Sequence, residues 1–412
     1  HDGQVNVTLA LRQPGSSIKP IMYATAFQNK LLNPGTMLVD APTCFPIPNQ
    51  KAYCPKNYDG SFRGAVTVRS SLGNSLNIPA VKGLKMIGLE NFIDQATRMG
   101  ITSWTDPSRY GLSLTLGGGE VRMIDLAQAF AVLANQGVKT PLSPILKITD
   151  YKDTVLFELN PDQRIENLQY LTEYGDLEKD DLTRVMERAP AYLTSHIMQD
   201  NKARQQAFGP RSQLVIPNQI VSAKTGTTND LKDNWTVGFT PEFLVITWVG
   251  NNDGSPMNQR LVSGITGAAP IFNAIMRIVL TGKEPVWQEK PQDVASAQVC
   301  ETGFPKDQGT ADCTPKDTEL YWQYSQPSRS KWIKQNTWIN PLTGLPPAFG
   351  EVVEGLVLEE RTILQDPITE QYCLDCNRPV SDQGKVQYEQ YTVREEYVEN
   401  SEEFSQDGNK PE

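Results

Sequence analysis

The spacing of apolar residues divides the chain into a largely helical first part and a β-rich middle. Apolar residues recur at helical spacing in five segments, which are residues 18–27, 64–88, 121–134, 191–207 and 268–280. Three shorter segments are rich in Val, Ile, Thr, Trp and Phe and are separated by turn residues; these are residues 219–225, 234–239 and 243–249. Such segments predict consecutive antiparallel strands. The pattern therefore predicts an α/β fold with a central antiparallel sheet flanked by helices.

The composition changes after the last predicted helix. Residues 281–291 are typical of a linker, and the Cys-bearing, Pro-rich segment that follows predicts a β-containing extension. Residues 351–412 carry 16 acidic and 5 basic residues, a net charge of −11, whereas the whole chain has −10. Residues 395–412 combine acidity with few apolar side chains, which predicts a disordered, solvated tail.

Composition also excludes several classes of function. A net charge of −10 argues against nucleic acid as a partner, because nucleic-acid-binding proteins need a basic surface. No apolar run reaches the roughly 18 residues that span a bilayer. Of two histidines, His1 is terminal and His196 stands alone. This excludes a multi-histidine metal site, and a Ser-His-Asp triad would depend on one histidine.

Ser16 and Lys19 form a Ser-x-x-Lys motif where the first helix is predicted to begin. Pro20 is tolerated only in the first turn of a helix, which places Ser16 at the N-terminal end. Helix N–H groups there favour an oxyanion, and a lysine three residues on shares the face of the serine. A lysine whose pKa is lowered by burial or a second cation can be the base for a serine nucleophile. Alone, the motif is more typical of a helix-capping serine, and residues 328–331 repeat it in a polar segment.

Ser75 and Asn77 form a Ser-x-Asn tripeptide where the second helical segment is broken, at residues 73–79. A hydroxyl and an amide at such a break can point into a cleft. The alternative is a capping serine followed by a turn asparagine.

The third pattern, Lys224-Thr225-Gly226-Thr227, closes the first predicted strand. Its lysine and hydroxyls can bind a carboxylate, and its glycine would let a substrate backbone approach closely. The alternative is an exposed edge-strand lysine before a turn. In the order Ser-x-x-Lys, Ser-x-Asn, Lys-Thr-Gly, the three patterns are the set found in penicillin-binding proteins and class A β-lactamases.

These motifs and their surroundings resemble the transpeptidase domain of class A, bifunctional penicillin-binding proteins of the 1A family. The similar blocks are residues 12–20, 57–60 (Asn-Tyr-Asp-Gly), 75–80, 116–120 (Leu-Gly-Gly-Gly-Glu), 224–229 and 233–241. The resemblance extends from about residue 6 to about residue 280 and implies a β-lactamase/transpeptidase-like fold. We therefore expect a transpeptidase domain at 1–282, a C-terminal extension at 283–394 and the acidic tail at 395–412.

The resemblance implies the acylation chemistry. Ser16 would attack the penultimate D-alanine carbonyl of a peptidoglycan stem peptide, and Lys19 would take the serine proton. Ser75, helped by Lys224, would pass a proton to the leaving amine. An amine from a neighbouring stem peptide would then resolve the acyl-enzyme and form a cross-link. Penicillin would acylate the same serine.

The resemblance also implies the binding groups. Asn77 would hold the substrate amide, and Thr225 and Thr227, flanking Gly226, would bind the substrate carboxylate. The backbone N–H groups of Ser16 and Thr227 would form the oxyanion hole. No metal and no cofactor are implied.

In this family the domain lies on the extracytoplasmic face of the bacterial cytoplasmic membrane. The resemblance therefore implies a glycosyltransferase domain, a membrane anchor and N-terminal sheet strands ahead of this chain, which we expect to be a fragment. A sheet without those strands is expected to have an unpaired edge.

Six cysteines suit an extracytoplasmic protein with disulfides. Proximity favours the pairs Cys44–Cys54, Cys300–Cys313 and Cys373–Cys376, among fifteen possible pairings. The last pair, Cys-x-x-Cys, would alternatively be half of a zinc site or a redox motif.

Three alternative functions share part of this signature. A D,D-carboxypeptidase differs only in using water as the acceptor. A β-lactamase needs a glutamate to activate the deacylating water, and the nearest similar sequence, residues 156–160, has Leu156 at that place. A β-lactam sensor would acylate once without turnover.

Overall fold

The structure is a computed structural model. It describes residues 4–48, 50–159, 184–228, 230–258, 265–300, 315–325, 330–347, 354–376 and 392–393. The α-helices of this part of the chain, α1 to α8, are Lys19–Gln28, Val68–Gly73, Ile78–Ile87, Leu89–Met99, Met123–Ala134, Arg188–Gln199, Asn201–Phe208 and Ala268–Val279. Its 3-10 turns are Gly15–Ile18, Pro107–Arg109 and Leu112–Leu116.

The strands of the described residues fall into a set within the first 250 residues and a set after the last helix. The first set, β1 to β11, comprises Leu11–Arg12, Met37–Asp40, Phe45–Ile47, Gln50–Tyr53, Gly64–Thr67, Val121–Arg122, Lys147–Thr149, Val155–Glu158, Ser222–Thr227, Asp233–Phe239 and Leu244–Gly250. The second set, β12 to β17, comprises Val294–Cys300, Pro315–Trp322, Lys331–Ile339, Val357–Gln365, Gln371–Cys373 and Thr392–Val393.

Strands β9, β10 and β11 form an antiparallel sheet in the order β11-β10-β9. They correspond to the three predicted strands. Strand β9 begins at Ser222 rather than at residue 219, because Gln219 closes a turn on the carbonyl of Ile216 and Asn218 has φ of 59°. Asparagine is one of the few residues that adopts this left-handed conformation readily.

Helices cover both faces of this sheet. Trp235, Val237 and Phe239 alternate along β10 and are buried in the same core as residues of α1, α5 and α6. On the opposite face Phe272 of α8 packs so closely on Gly238 that a Cβ atom there would lie 2.5 Å from the phenyl ring. The predicted α/β layering, a central antiparallel sheet between helices, is confirmed.

Two predicted helical segments are divided in the structure. Residues 64–67 are not helical but form strand β5, which pairs with β2; Thr67 then caps α2 by accepting a hydrogen bond from the Ser70 N–H. The predicted helix 191–207 is two helices, α6 and α7. Asp200 separates them because its carboxylate accepts the backbone N–H groups of Lys202 and Ala203 at 2.9 and 3.2 Å.

The C-terminal strands pack against the first part of the chain. Strands β14 to β17 form a sheet in sequence order, and β12 pairs with β13. Met37 and Val39 of β2 share a buried cluster with Ile363 and Leu364 of β15. The predicted C-terminal extension thus has strands among its described residues, and side chains of these strands share a buried core with β2. The expected domain boundaries stay predictions, and the acidic tail at 395–412 lies outside the described residues.

Two predicted disulfides are present, Cys44–Cys54 and Cys373–Cys376. Because the sulfurs of Cys373 and Cys376 are bonded to each other, neither is available as a zinc-binding thiolate, and the zinc alternative does not hold for this form. The predicted pair Cys300–Cys313 lies outside the described residues, since Cys313 is not among them. None of the described helices has the length and apolar character needed to cross a membrane.

Candidate active site

Ser16 lies in the 3-10 turn Gly15–Ile18, which leads directly into α1. The predicted position at the start of the first helix is therefore confirmed, with Pro20 in the first turn of α1. The capping alternative is wrong, because the N-cap of α1 is Ile18 and no side chain caps it. The neighbouring Ser17 is turned inward, and its hydroxyl donates to the Pro14 carbonyl at 2.6 Å.

Glycines allow three backbone segments to meet at this turn. Gly15 has φ of 54°, and a Cβ atom there would lie 2.5 Å from the Thr227 carbonyl oxygen. Gly117 has φ of 89°, and a Cβ atom on it would lie 2.2 Å from the Gly15 nitrogen. The turn that carries Ser16 is therefore held between β9 and the Gly-rich loop by contacts that no side chain would permit.

Gly226 has a different role from the one its sequence context suggests. A Cβ atom on Gly226 would lie 2.3 Å from the Pro14 carbonyl oxygen and 3.0 Å from the Ser17 side chain. The absent side chain thus makes room for the protein's own turn at residues 14–17, not for a substrate backbone. This packing fixes the distance between β9 and Ser16.

Lys19 is fully buried, and its amine is surrounded by the loop between α2 and α3. Its Nζ donates to the Ser75 carbonyl at 2.6 Å, the Leu76 carbonyl at 3.0 Å and Asn77 Oδ1 at 2.6 Å. Burial, and secondarily the charge of Lys224, lower the pKa of Lys19 well below its usual value, although Asp40 opposes this. The neutral form of this amine is thereby favoured over that of a lysine exposed to water.

Ser75 joins this loop to β9. Its hydroxyl accepts a hydrogen bond from Lys224 Nζ at 2.7 Å, and the same amine donates to the Thr225 carbonyl at 2.9 Å. Burial lowers the pKa of Lys224 to about 7. Ser75 has φ of 60°, an unusual conformation for a residue with a side chain. The Ser-x-Asn tripeptide occupies the break between α2 and α3, as predicted.

A cleft of about 340 Å³ opens above these residues. Five polar residues from the three motifs line it, namely Ser16, Ser75, Asn77, Thr225 and Thr227. Bulkier side chains surround them, among them Tyr58, Leu116, Phe208 and Ile265. The structure therefore brings all three sequence motifs to one cleft, with the amines of Lys19 and Lys224 buried behind it.

Sequence reasoning missed two residues that support the site. The Asp40 carboxylate, fully buried in β2, accepts both hydrogen bonds from Asn57 Nδ2 at 2.9 Å, and Asn57 Oδ1 in turn accepts the Asn77 N–H at 2.7 Å. Burial raises the pKa of Asp40 to about 6. Asn57 could have been recognised, because it belongs to the Asn-Tyr-Asp-Gly block that resembles the family. Nothing in the sequence around Asp40 indicates a role in the site.

An antiparallel sheet between helical layers, with a serine in front of two buried lysine amines, defines a serine acyltransferase of the β-lactamase/transpeptidase fold. Residues 7–277 match the family described as penicillin-binding protein transpeptidase domain, and the chain belongs to this family. The family resemblance drawn from the motifs is confirmed.

The curated relatives are penicillin-binding proteins 1A. That of Neisseria meningitidis serogroup A is 31% identical over 290 residues, 70% of this chain and 34% of the relative. That of Rickettsia prowazekii is 29% identical over 271 residues, 65% of this chain and 33% of the relative. The chain therefore spans about a third of the length of these relatives.

Solved structures show the same fold. Penicillin-binding protein 1A from Haemophilus influenzae aligns with a TM-score of 0.65 at 26% identity, over 79% of this chain and 50% of that one. The PonA1 protein from Mycobacterium tuberculosis in complex with penicillin V aligns with a TM-score of 0.55 at 22% identity, over 74% of this chain and 77% of that one.

The packing of Gly15 can be tested by adding one methyl group. Gly15→Ala should lower the free energy of unfolding by roughly 2–5 kcal/mol, about 1–2 for a left-handed alanine and about 1–3 for overlap with Thr227. Gly60→Ala is the matched control, because Gly60 has φ of 70° but nothing within 4 Å of a Cβ atom. Gly60→Ala should lower the free energy of unfolding only by the about 1–2 kcal/mol of a left-handed alanine. Equal shifts of the urea midpoint in the two variants would contradict the packing argument.

Proposed function

We propose that this chain catalyses D,D-transpeptidation of peptidoglycan stem peptides through an acyl-enzyme on Ser16. The observation that carries the proposal is the convergence of the three motifs on one cleft, with Ser75 between the two lysines. Lys19 donates to the Ser75 backbone and Lys224 to the Ser75 hydroxyl. Two amines with lowered pKa values thus flank one serine-bearing loop.

In the proposed first step Lys19 is the general base. As an ammonium its three N–H groups are satisfied by the three loop oxygens. When Lys19 loses a proton, its amine keeps two N–H groups for the loop oxygens, and its lone pair turns away from them to accept the hydrogen of the Ser16 hydroxyl. Ser16 then attacks the carbonyl of the penultimate D-alanine. The backbone N–H groups of Ser16 and Thr227 stabilise the developing oxyanion.

In the proposed second step the terminal D-alanine leaves as an amine. The Ser75 hydroxyl accepts from Lys224, so its own hydrogen is available for the leaving nitrogen, and Lys224 supplies the replacement proton. Asn77 presents its amide to the backbone of the donor peptide. Thr225 and Thr227, on either side of Gly226, bind the terminal carboxylate with their hydroxyls. An amine of a second stem peptide then attacks the carbonyl of the acyl-enzyme and gives its proton to Ser75 and through it to Lys224. The ester bond to Ser16 breaks, and Lys19 returns its proton to the Ser16 oxygen.

The same groups support acylation by β-lactams, which place a strained amide and a carboxylate at these positions. The proposed place of action is the extracytoplasmic face of the bacterial cytoplasmic membrane, with anchoring through a segment outside this chain. Two disulfides among the described residues suit that oxidising compartment.

A β-lactamase is disfavoured by the composition of the cleft. Among the described residues that line it, Asp59 carries the single carboxylate, and this group is paired with Arg63 at 2.5 Å. Leu156, which stands where a deacylating glutamate would be needed, lies in strand β8 with 65% of its surface exposed and does not line the cleft. The acyl-enzyme is therefore expected to be long-lived in water.

Labelling with a fluorescent penicillin tests the nucleophile. Ser16→Ala should abolish covalent labelling, because the other serine of the turn, Ser17, is buried and its hydroxyl donates to the Pro14 carbonyl. Ser328→Ala, in the second Ser-x-x-Lys of the sequence, should label like the parent protein. Labelling that survives Ser16→Ala contradicts the assignment, labelling lost within seconds indicates a β-lactamase, and stable labelling without activity on stem peptides indicates a sensor.

The pH dependence of acylation tests the two lysines. The second-order rate constant should rise with pH as Lys19 loses its proton and fall as Lys224 does, near its pKa of about 7. Lys224→Arg should remove the falling limb and keep the rising one, because a guanidinium remains charged throughout. Lys202→Arg, in the exposed face of α7, is the control and should leave both limbs in place. A falling limb that persists in Lys224→Arg would assign it to another group.

The acceptor is identified from products. With a stem-peptide donor ending in D-Ala-D-Ala and an amine acceptor peptide, the chain should release D-alanine and form a cross-linked dimer. Ser16→Ala should form neither product. Release of D-alanine without a dimer would identify a D,D-carboxypeptidase.

A further inference from the structure

Lys82 is a buried cation whose partners come from the C-terminal strands. It lies in α3, its side chain is fully buried, and its Nζ donates to the Val39 carbonyl at 2.7 Å. The same amine contacts Asp366 Oδ2 at 2.7 Å and Glu370 Oε2. Both carboxylates lie in residues 366–370, a turn between β15 and β16 that we call the acidic turn. A buried charge is costly unless it is paired, so the Lys82 amine and the two carboxylates must stay close to each other.

Hydrogen bonds hold the acidic turn together and attach it to neighbouring segments. Asp366 Oδ1 accepts the backbone N–H groups of Ile368 and Glu370 at 3.1 and 3.0 Å, which closes the turn. Asp366 Oδ2 also accepts the Val39 N–H of β2 at 3.3 Å. Glu370 accepts the Thr43 hydroxyl at 3.1 and 3.2 Å. One short turn thus fixes α3, β2 and the segment after β2 to each other.

Two routes lead from these contacts to the loop around Lys19. The first is α3, which begins directly after Asn77 and carries Lys82 in its second turn. The second is β2, in which Val39 is followed by Asp40, and Asp40 holds Asn57. Asn57 in turn holds the backbone of Asn77, whose side chain accepts from Lys19. Both routes therefore connect the acidic turn to Asn77, the residue at which the loop joins α3.

We propose that Asp366 and Glu370 are positioning residues for acylation, which set the place of the Ser75–Asn77 loop through Lys82 and β2. This inference rests on the proposed function of the loop. It assigns to the C-terminal strands a part in the chemistry of Ser16, although neither residue lines the cleft. The proposed carboxylate-binding residues Thr225 and Thr227 lie on β9 and not on this loop, so the first binding of a β-lactam should depend on the acidic turn less than acylation does.

The test separates binding, chemistry and folding. Asp366→Asn and Glu370→Gln are compared with the parent protein in stopped-flow acylation by a fluorescent penicillin. The measured quantities are the acylation rate constant, the dissociation constant of the first complex and the labelled fraction at the end point. Glu360→Gln is the control, since Glu360 lies in the neighbouring strand β15 but pairs with Lys334 at 3.9 Å in an exposed position.

We expect the acylation rate constant to fall about tenfold or more in the two variants, because displacements near 1 Å reduce rates by up to about a hundredfold. The labelled fraction should stay within about twofold of the parent. The dissociation constant should rise by a smaller factor than the rate constant falls, because Asn77 lies on the displaced loop but Thr225 and Thr227 do not. Glu360→Gln should change nothing. A reduced labelled fraction with an unchanged rate constant would show a purely structural role and overturn the inference.

A charge-free variant covers the case in which the single variants do not fold. Lys82→Met combined with Asp366→Asn and Glu370→Gln leaves no buried charge unpaired and keeps the side-chain volumes similar. It lacks the ionic contacts, so its acylation should also be slow. Acylation at the parent rate in this variant would overturn the inference. Absence of acylation in the parent protein itself would instead refute the proposed function.

Discussion

The burial of two amines in one small site is the constraint on which the rest of this structure depends. Water normally keeps a lysine charged. Its removal brings the pKa of Lys224 to about 7 and, together with the charge of Lys224, brings that of Lys19 well below its usual value. Removing water, however, leaves N–H groups that must find other acceptors. The loop at Ser75 supplies most of them, from two backbone carbonyls and the Asn77 side chain for Lys19 and from a hydroxyl for Lys224. The loop therefore has to be placed to within a few tenths of an ångström on both sides.

That placement is obtained mainly from backbone contacts and from groups outside the cleft. Gly15 and Gly226 let the turn of Ser16 touch β9 directly, so the distance between these segments does not depend on the rotamer of any side chain. The Trp235 indole, from the centre of the sheet, donates to the Gln13 carbonyl at 2.8 Å and fixes the chain just before that turn. On the other side, Asp40 and Asn57 hold Asn77. The amines of the two flexible lysine side chains thus lie among groups whose positions are fixed by backbone contacts and hydrogen bonds.

The sequence was informative wherever the chemistry is local. A proline one residue after Lys19 located the start of α1. Short segments rich in β-branched and aromatic residues located the sheet, and the order of three short motifs identified the family. It was not informative where distant segments meet. Asp40 and Lys82 look like ordinary strand and helix residues, and only the fold shows that they are buried with partners up to 288 residues away. Gly226 was assigned to substrate access, because a sequence does not show which segment packs on a glycine. Strand β5 was predicted as helix, since its apolar spacing fits either structure over four residues.

The buried position of Lys82 also bears on the order in which parts of the chain can fold. A polypeptide is made from its N-terminus, and Lys82 is complete long before Asp366 and Glu370 have been synthesised. Until then the helix that follows Asn77 cannot bury its ammonium group without a large desolvation cost, and it keeps this face in water. We expect the packing around Lys82 to be completed only when the acidic turn docks. In a domain of this kind, a contact of one of its first helices is completed by residues made 284 and 288 positions later.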